Sequence, residues 1–289
     1  MDSALELDGR TWMVRQSGDL DGWPVVYFHG TPSSRLEPAF ADAAAAELGV
    51  RLVCFDRPGY GGSTAARFGL ASVAASTGAI ADRLGLDRFA TLGQSGGGPF
   101  ALACAAVLGD RVTRVGVTSG AIPFQRVPGA LERLDDADTA ATALLPESPD
   151  AAAAGFAHGF AGLREGLQGP DAPVLAAFRN RSSRRDNEIL EWPGVAPGLL
   201  RSLRESMVAG PSGGGWDNVA WIGEWDVDLA DVRRPVDLWY GGEDGRHPPG
   251  DAEWLADHLP DATLHLAPEE GHLLVIEHVE EILTTLTTD

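Results

Sequence analysis

The chain contains no lysine. All 22 of its basic residues are arginine, set against 42 aspartates and glutamates, for a formal net charge of −20 over 289 residues. An acidic surplus of this size repels phosphate backbones and anionic lipid surfaces, so neither a nucleic-acid nor a membrane partner is expected. Cysteine is nearly absent as well. Cys54 and Cys104 are the only two, and both sit in apolar runs, Leu52-Val53-Cys54-Phe55 and Ala101-Leu102-Ala103-Cys104-Ala105. Two isolated thiols build neither a disulfide framework nor a metal site, and they read as buried thiols of a reducing compartment. No apolar run approaches the roughly 18 residues of a membrane helix, and no basic-then-apolar leader opens the chain. A soluble, cytoplasmic protein is expected, a monomer or homodimer whose partner is a small-molecule substrate. Hydrophobic residues at 44% and charged residues at 22% are ordinary for a globular chain, which argues against disorder.

What is present is an alternation of strand and helix signals. Pro24–Phe28, Val50–Phe55, Arg88–Leu92 and Val112–Thr118 are short runs rich in β-branched or aromatic residues. Ala39–Leu48, Leu70–Leu84 and Gly97–Leu108 between them have helical composition, and the first two stop at Gly49 and Gly85. The rhythm returns with strands at Pro235–Tyr240 and Ala262–Leu266 and helices at Ala252–Leu259 and His272–Leu286. Short buried strands joined by helices predict an α/β fold with a mainly parallel central sheet and helices on both faces. Between about Ile122 and Ala230 the strand signals vanish. Helical stretches take their place at Gly129–Leu145, Asp150–Leu167, Val174–Arg181 and Ala196–Val208. The expected organisation is a core of residues 1–121 and 231–289 with a helical cap inserted at 122–230.

The most informative segment is Thr91-Leu-Gly-Gln-Ser-Gly-Gly-Gly-Pro99. Gly93-Gln94-Ser95-Gly96-Gly97 fits G-x-S-x-G between a predicted strand and a predicted helix. A tight turn there strains the serine backbone and lifts the hydroxyl above the sheet edge, with glycines admitting the neighbouring backbones. The Gly96 amide would open the helix, where N–H groups lack partners inside the helix and can stabilise an oxyanion. A serine hydroxyl needs a base, and the base needs an orienting group. His272 follows the last predicted strand and Asp244 the one before it. The order Ser95, Asp244, His272 is that of the elbow hydrolases, with each group at a strand end. Glu243, next to Asp244, is an alternative acid, and His29 an alternative base. His247 reads as a solvated loop residue or a contact at the pocket mouth.

With His29-Gly-Thr-Pro-Ser-Ser34, Asp56-Arg-Pro-Gly-Tyr-Gly61, the Ser95 elbow, the Asp244 loop and Gly271-His272 in view, the chain resembles the α/β-hydrolase fold family with a helical cap over nearly its whole length. The resemblance implies a second oxyanion donor in the backbone N–H of Thr31 and a structural His29 near that loop. It also favours Asp244 over Glu243, through Gly-x-x-Asp-x-x-x-Pro from Gly241 to Pro248. The expected activity is hydrolysis of a carboxylic ester, thioester or lactone of a small to medium apolar substrate through an acyl-enzyme on Ser95. No cofactor or metal is needed for it. The same fold also hosts carbon–carbon bond hydrolysis, peracid formation, pathway-specific cyclisation or acyl transfer, and non-catalytic ligand binding, since fold alone does not decide chemistry. Candidate substrate-binding residues are His29, Gln94, Trp221 and Trp225. Arg179–Arg185 reads as a solvated basic helix end paired with acids such as Asp186 and Glu188, or as an attractor for an anion. Ser212-Gly-Gly-Gly215 reads as a hinge for a mobile lid or as a plain loop.

Overall fold

The computed structural model describes residues 1–288. In chain order the strands are β1 (Asp2–Leu7), β2 (Arg10–Gly18), β3 (Trp23–Phe28), β4 (Val50–Phe55), β5 (Phe89–Gln94), β6 (Val112–Thr118), β7 (Val236–Gly241) and β8 (Ala262–Ala267). They form one sheet in the order β1-β2-β4-β3-β5-β6-β7-β8. From β4 to β8 every pairing is parallel, while β1 and β2 form an antiparallel extension at one edge. That extension is not predicted by the sequence pattern, because its strands are only half-buried. It turns at Asp8-Gly9, both at positive φ (50° and 72°), the backbone that a two-residue hairpin requires.

The helices of the core are α1 (Asp42–Glu47), α2 (Leu70–Leu84) and α3 (Gly98–Leu108) before the insertion. The pleat of the central strands sorts their side chains between two cores. Val26, Phe28, Val53 and Phe55 face the cluster that includes residues of α2 and α3, whereas Val25, Tyr27, Leu52 and Cys54 face the other side. Strands buried on both faces need near-continuous hydrophobic runs, which is why these segments were readable. Cys54 and Cys104 are both free and buried, and burial pushes the Cys104 thiol up to about 12.

Among the described residues no strand lies between β6 and β7, where the α-helices are α4 (Asp136–Thr142), α5 (Pro149–Gly159), α6 (Ala161–Gly166), α7 (Asp171–Arg179), α8 (Arg184–Ile189), α9 (Val195–Ser206) and α10 (Ser212–Ile222). The chain then closes with α11 (Pro249–His258), α12 (Leu274–Glu277) and α13 (Val279–Thr287). The insertion is more broken than its composition predicts. Gly129–Leu145 holds only a 3-10 turn at Leu131–Arg133 and the short α4, and Asp150–Leu167 splits at Phe160. The final segment likewise divides at His278 and starts after His272. The larger correction concerns Ser212-Gly-Gly-Gly215, which is the first turn of α10 and not a hinge or loop. Its glycines permit close packing. A Cβ on Gly213 would stand 2.5 Å from the Tyr60 ring, one on Gly214 2.6 Å from the Phe160 ring, and one on Gly215 2.2 Å from the Ala153 carbonyl oxygen. Among the described residues, no helix is long and apolar enough to cross a membrane.

Candidate active site

Ser95 stands where β5 ends and a helical turn leads into α3. Its φ is +53°, a conformation that costs a non-glycine residue about 1–2 kcal/mol. The turn is tight enough that Cβ atoms on Gly93 and Gly97 would meet Gly97 O at 2.4 Å and Phe28 O at 2.1 Å. Ser95 is the partly exposed residue in an otherwise buried segment from Phe89 to Ala105. The next residue faces the loop after β3, because a Cβ on Gly96 would lie 2.3 Å from Thr31 Oγ1 and 3.4 Å from Thr31 N. Thr31 and Gly96 are therefore neighbours in space at the carboxyl edge of the sheet.

His272 and Asp244 also meet there. His272 Nδ1 lies 2.8 Å from Asp244 Oδ2, with both residues buried. The other carboxylate oxygen accepts backbone N–H groups from Arg246 at 2.8 Å and His247 at 3.2 Å. Burial alone would raise the Asp244 carboxyl, but His272 and these donors outweigh it and hold the group well below the ordinary carboxylate range. A carboxylate on Nδ1 fixes the proton there and leaves Nε2 free to act as a base. Glu243, the alternative acid, is exposed. His29, the alternative base, is fully buried, with Nδ1 2.8 Å from Gly30 O and Nε2 3.5 Å from Arg57 N. Burial, helped by Arg57, lowers its pKa well below the usual value, which suits a neutral structural ring. His247 is buried and not solvated, its ring stacked on that of His272 with centroids 5.8 Å apart.

The structure places the four residues read as substrate-binding in different surroundings. His29 is enclosed as described. Gln94 is buried; its amide nitrogen donates to the His272 carbonyl at 2.9 Å and its amide oxygen accepts from Thr118. Gln94 thus joins the serine turn to the histidine loop, and both ends of its amide are occupied. Trp225 is buried in the main core cluster and donates from Nε1 to the Trp221 carbonyl at 3.0 Å. Trp221 packs against Phe124 with ring centroids 5.5 Å apart, and its buried Nε1 has no partner among the described residues.

The residues that sequence reasoning missed come from the insertion. Asp217, on α10 and wholly buried, receives Arg57 Nε at 2.8 Å, Arg57 Nη2 at 2.5 Å, Thr31 Oγ1 at 2.6 Å and the Tyr60 hydroxyl at 2.6 Å. Arg57 in turn donates to the carbonyls of His29 at 2.7 Å and Gly30 at 3.2 Å. Asp217 therefore ties the loop that carries Thr31 to Arg57 and Tyr60, and Glu37 holds the same loop by accepting the Gly30 N–H at 3.0 Å. Ser202 on α9 adds hydroxyl contacts of 2.9 Å to Ser33 and to Ser34. Asp186 on α8 accepts the backbone N–H of His272 at 3.1 Å and of Leu273 at 2.7 Å, beside its capping-box bonds to Ser183. Asp186 does not pair with the neighbouring arginines as its place in the sequence suggests. It faces inward instead, and Glu188, Glu191 and Glu277 serve the arginines. One signal for Asp217 was available: it is the only charged residue in the run Ser212–Ile222.

A family model described as the alpha/beta hydrolase fold matches residues 24–279. Pimeloyl-[acyl-carrier protein] methyl ester esterase of Aromatoleum aromaticum is 43% identical over 58 residues, which is 20% of this chain and 23% of that protein. Among solved structures, a bromoperoxidase from Bacillus anthracis superposes with a TM-score of 0.73 at 19% identity, covering 100% of both chains. An esterase from Exiguobacterium antarcticum gives 0.70 at 20% identity, covering 99% of this chain and 98% of that one.

Proposed function

The chain belongs to the α/β hydrolase fold family, and on that premise we propose that it is a serine hydrolase of carboxylic esters, thioesters or lactones. Ser95 would be the nucleophile, His272 the base, Asp244 the orienting acid, and the backbone N–H groups of Thr31 and Gly96 the oxyanion donors. The observation that carries the reading is the strained Ser95 turn, φ +53°, at the same sheet edge as a His272–Asp244 pair 2.8 Å long.

In this reading His272 Nε2 takes the Ser95 proton as the oxygen attacks the substrate carbonyl. The carbonyl oxygen gains its negative charge between the Thr31 and Gly96 amides, and removing one such donor typically costs about 10²–10³ in turnover. The tetrahedral centre collapses, His272 hands the proton to the leaving alcohol or thiol, and the acyl group stays on Ser95. Water then repeats the cycle. His272 takes a proton from it, the acyl–oxygen bond breaks, and the acid departs with Ser95 reprotonated. Asp244 remains ionised throughout and stabilises the imidazolium. No step calls for a cofactor or a metal. The insertion would act as a cap whose carboxylates hold two of the moving parts, Asp217 the oxyanion loop and Asp186 the histidine loop. The esterase and methyl ester esterase among the similar proteins support ester chemistry as the first choice.

The test is a chain-length series of p-nitrophenyl esters on wild type and Ser95→Ala. Turnover by the wild type that vanishes in the variant supports the reading. Equal release by both proteins contradicts it.

A further inference from the structure

Among the described residues nine of the 22 arginines form no ion pair, and Arg246 is the one of these that is half-buried with no hydrogen bond from its guanidinium. The arginines beside the histidine loop divide into two groups. Arg179 pairs with Glu191, Arg184 with Glu188, and Arg185 with Glu188 and Glu277. Among the described residues, Arg181 and Arg246 form no ion pair, and their guanidinium groups make no hydrogen bond. Arg246 is no freely solvated surface residue. It is half-buried, and its guanidinium lies over the Phe178 ring of α7, 5.2 Å from the centroid. Burial and the nearby Arg181 hold it below its ordinary pKa, against the pull of Asp244 and Asp186. Those two carboxylates are engaged elsewhere, Asp244 by His272 and two backbone N–H groups, Asp186 by the backbone of Ser183, His272 and Leu273.

Place decides what this cation can do. Arg246 is two residues from Asp244, and the next residue, His247, stacks on His272. Arg181 approaches from the turn between α7 and α8, and α8 carries the Asp186 that holds His272. The free cations therefore sit where the loop that carries Asp244 meets α7 and the turn before α8. An aromatic platform with a half-desolvated, unpaired guanidinium over it suits a planar anion, because the fork of N–H donors matches two carboxylate oxygens. The chain's negative charge does not prevent this, since charges beyond about 8 Å are largely screened at physiological ionic strength.

We propose that Arg246, with Arg181 beside it, is a subsite for a carboxylate carried by the substrate at the end away from the reacting carbonyl. The preferred substrate is then an ester with an apolar middle and an anionic far end, such as a half-ester of a dicarboxylic acid. This rests on the serine hydrolase reading and adds the substrate class to it.

The experiment compares mono-p-nitrophenyl adipate with p-nitrophenyl hexanoate, which has the same acyl length without the carboxylate. The readout is the ratio of the two kcat/KM values. Wild type should favour the half-ester. Arg246→Gln should reduce the ratio about 10–100-fold, chiefly through KM for the half-ester, and Arg246→Lys should restore part of it. A ratio unchanged by Arg246→Gln overturns the proposal even if both esters are hydrolysed. Adipate binding to Ser95→Ala, followed by calorimetry, tests the subsite apart from the chemistry. Binding that Arg246→Gln abolishes supports the subsite even if neither ester turns over, and in that case the hydrolase reading alone fails. Absence of adipate binding overturns the subsite.

Discussion

In the sheet, the candidate nucleophile is held by backbone. Ser95 sits at φ +53° because β5 ends there and because Gly93 and Gly97 let the chains on either side touch. In the insertion, the supporting parts are held by side chains: Asp217 grips the Thr31 loop through Arg57 and Thr31 itself, and Asp186 grips the backbone of His272 and Leu273. The difference teaches where each kind of damage should appear. Backbone-held groups tolerate changes in distant side chains, whereas side-chain-held loops depend on a few residues, Asp217, Glu37 and Ser202 for the Thr31 loop and Asp186 for the His272 loop.

The sharpest break should come from the core pair. Asp244→Asn keeps the shape but removes the charge that fixes the His272 tautomer, and kcat for an ester should fall about 10⁴-fold with KM little changed. The depressed pKa of Asp244 adds a pH signature. Its folded value lies below the ordinary value of 3.8, so its contribution to stability is present above that pH and is lost as pH falls further. The stability difference between wild type and Asp244→Asn should therefore start to shrink at about pH 4 and go on shrinking as the pH is lowered further. Next comes the insertion carboxylate. Asp217→Ala leaves Arg57 buried and unpaired and should lower stability by about 3–5 kcal/mol, read from denaturant midpoints.

Gly215→Ala separates a packed helix from a hinge. In the packed α10 the new methyl collides with the Ala153 carbonyl and should cost about 1–3 kcal/mol, whereas a hinge would tolerate it. The smallest effect belongs to the surface. Arg184 pairs with Glu188 four residues on, with both side chains exposed, and Arg184→Ala should change thermal stability by no more than about 0.5 kcal/mol.

Much of the core was legible because its signals are local. Leu70–Leu84 is a helix over the residues expected, ended by Gly85 at φ +71°, and the strand runs lie where apolar alternation with helices predicted them. The β1–β2 hairpin was missed although Asp8-Gly9 between two segments is a hairpin signal, because half-buried edge strands lack the dense apolar run that marks β3 or β4. Ser95, Asp244 and His272 were legible because each follows a strand, and chain order alone brings strand ends to one edge. Asp217 and Asp186 were not. Each acts across more than 80 residues of chain, and nothing in a helix's own sequence says which loop its carboxylate will reach. The triple glycine misled for a related reason: glycine serves flexibility and close packing equally well, and only the Ala153, Phe160 and Tyr60 atoms against it decide between them.

The most direct measurement is the rate at which a fluorophosphonate labels the protein, with the adduct mapped by peptide mass spectrometry, for wild type beside Asp217→Asn under conditions where both are folded. The account predicts one adduct, on Ser95, forming at least about 10-fold more slowly in the variant because the oxyanion loop has lost one of its anchors. An adduct on another residue, no adduct at all, or equal rates in the two proteins would contradict it.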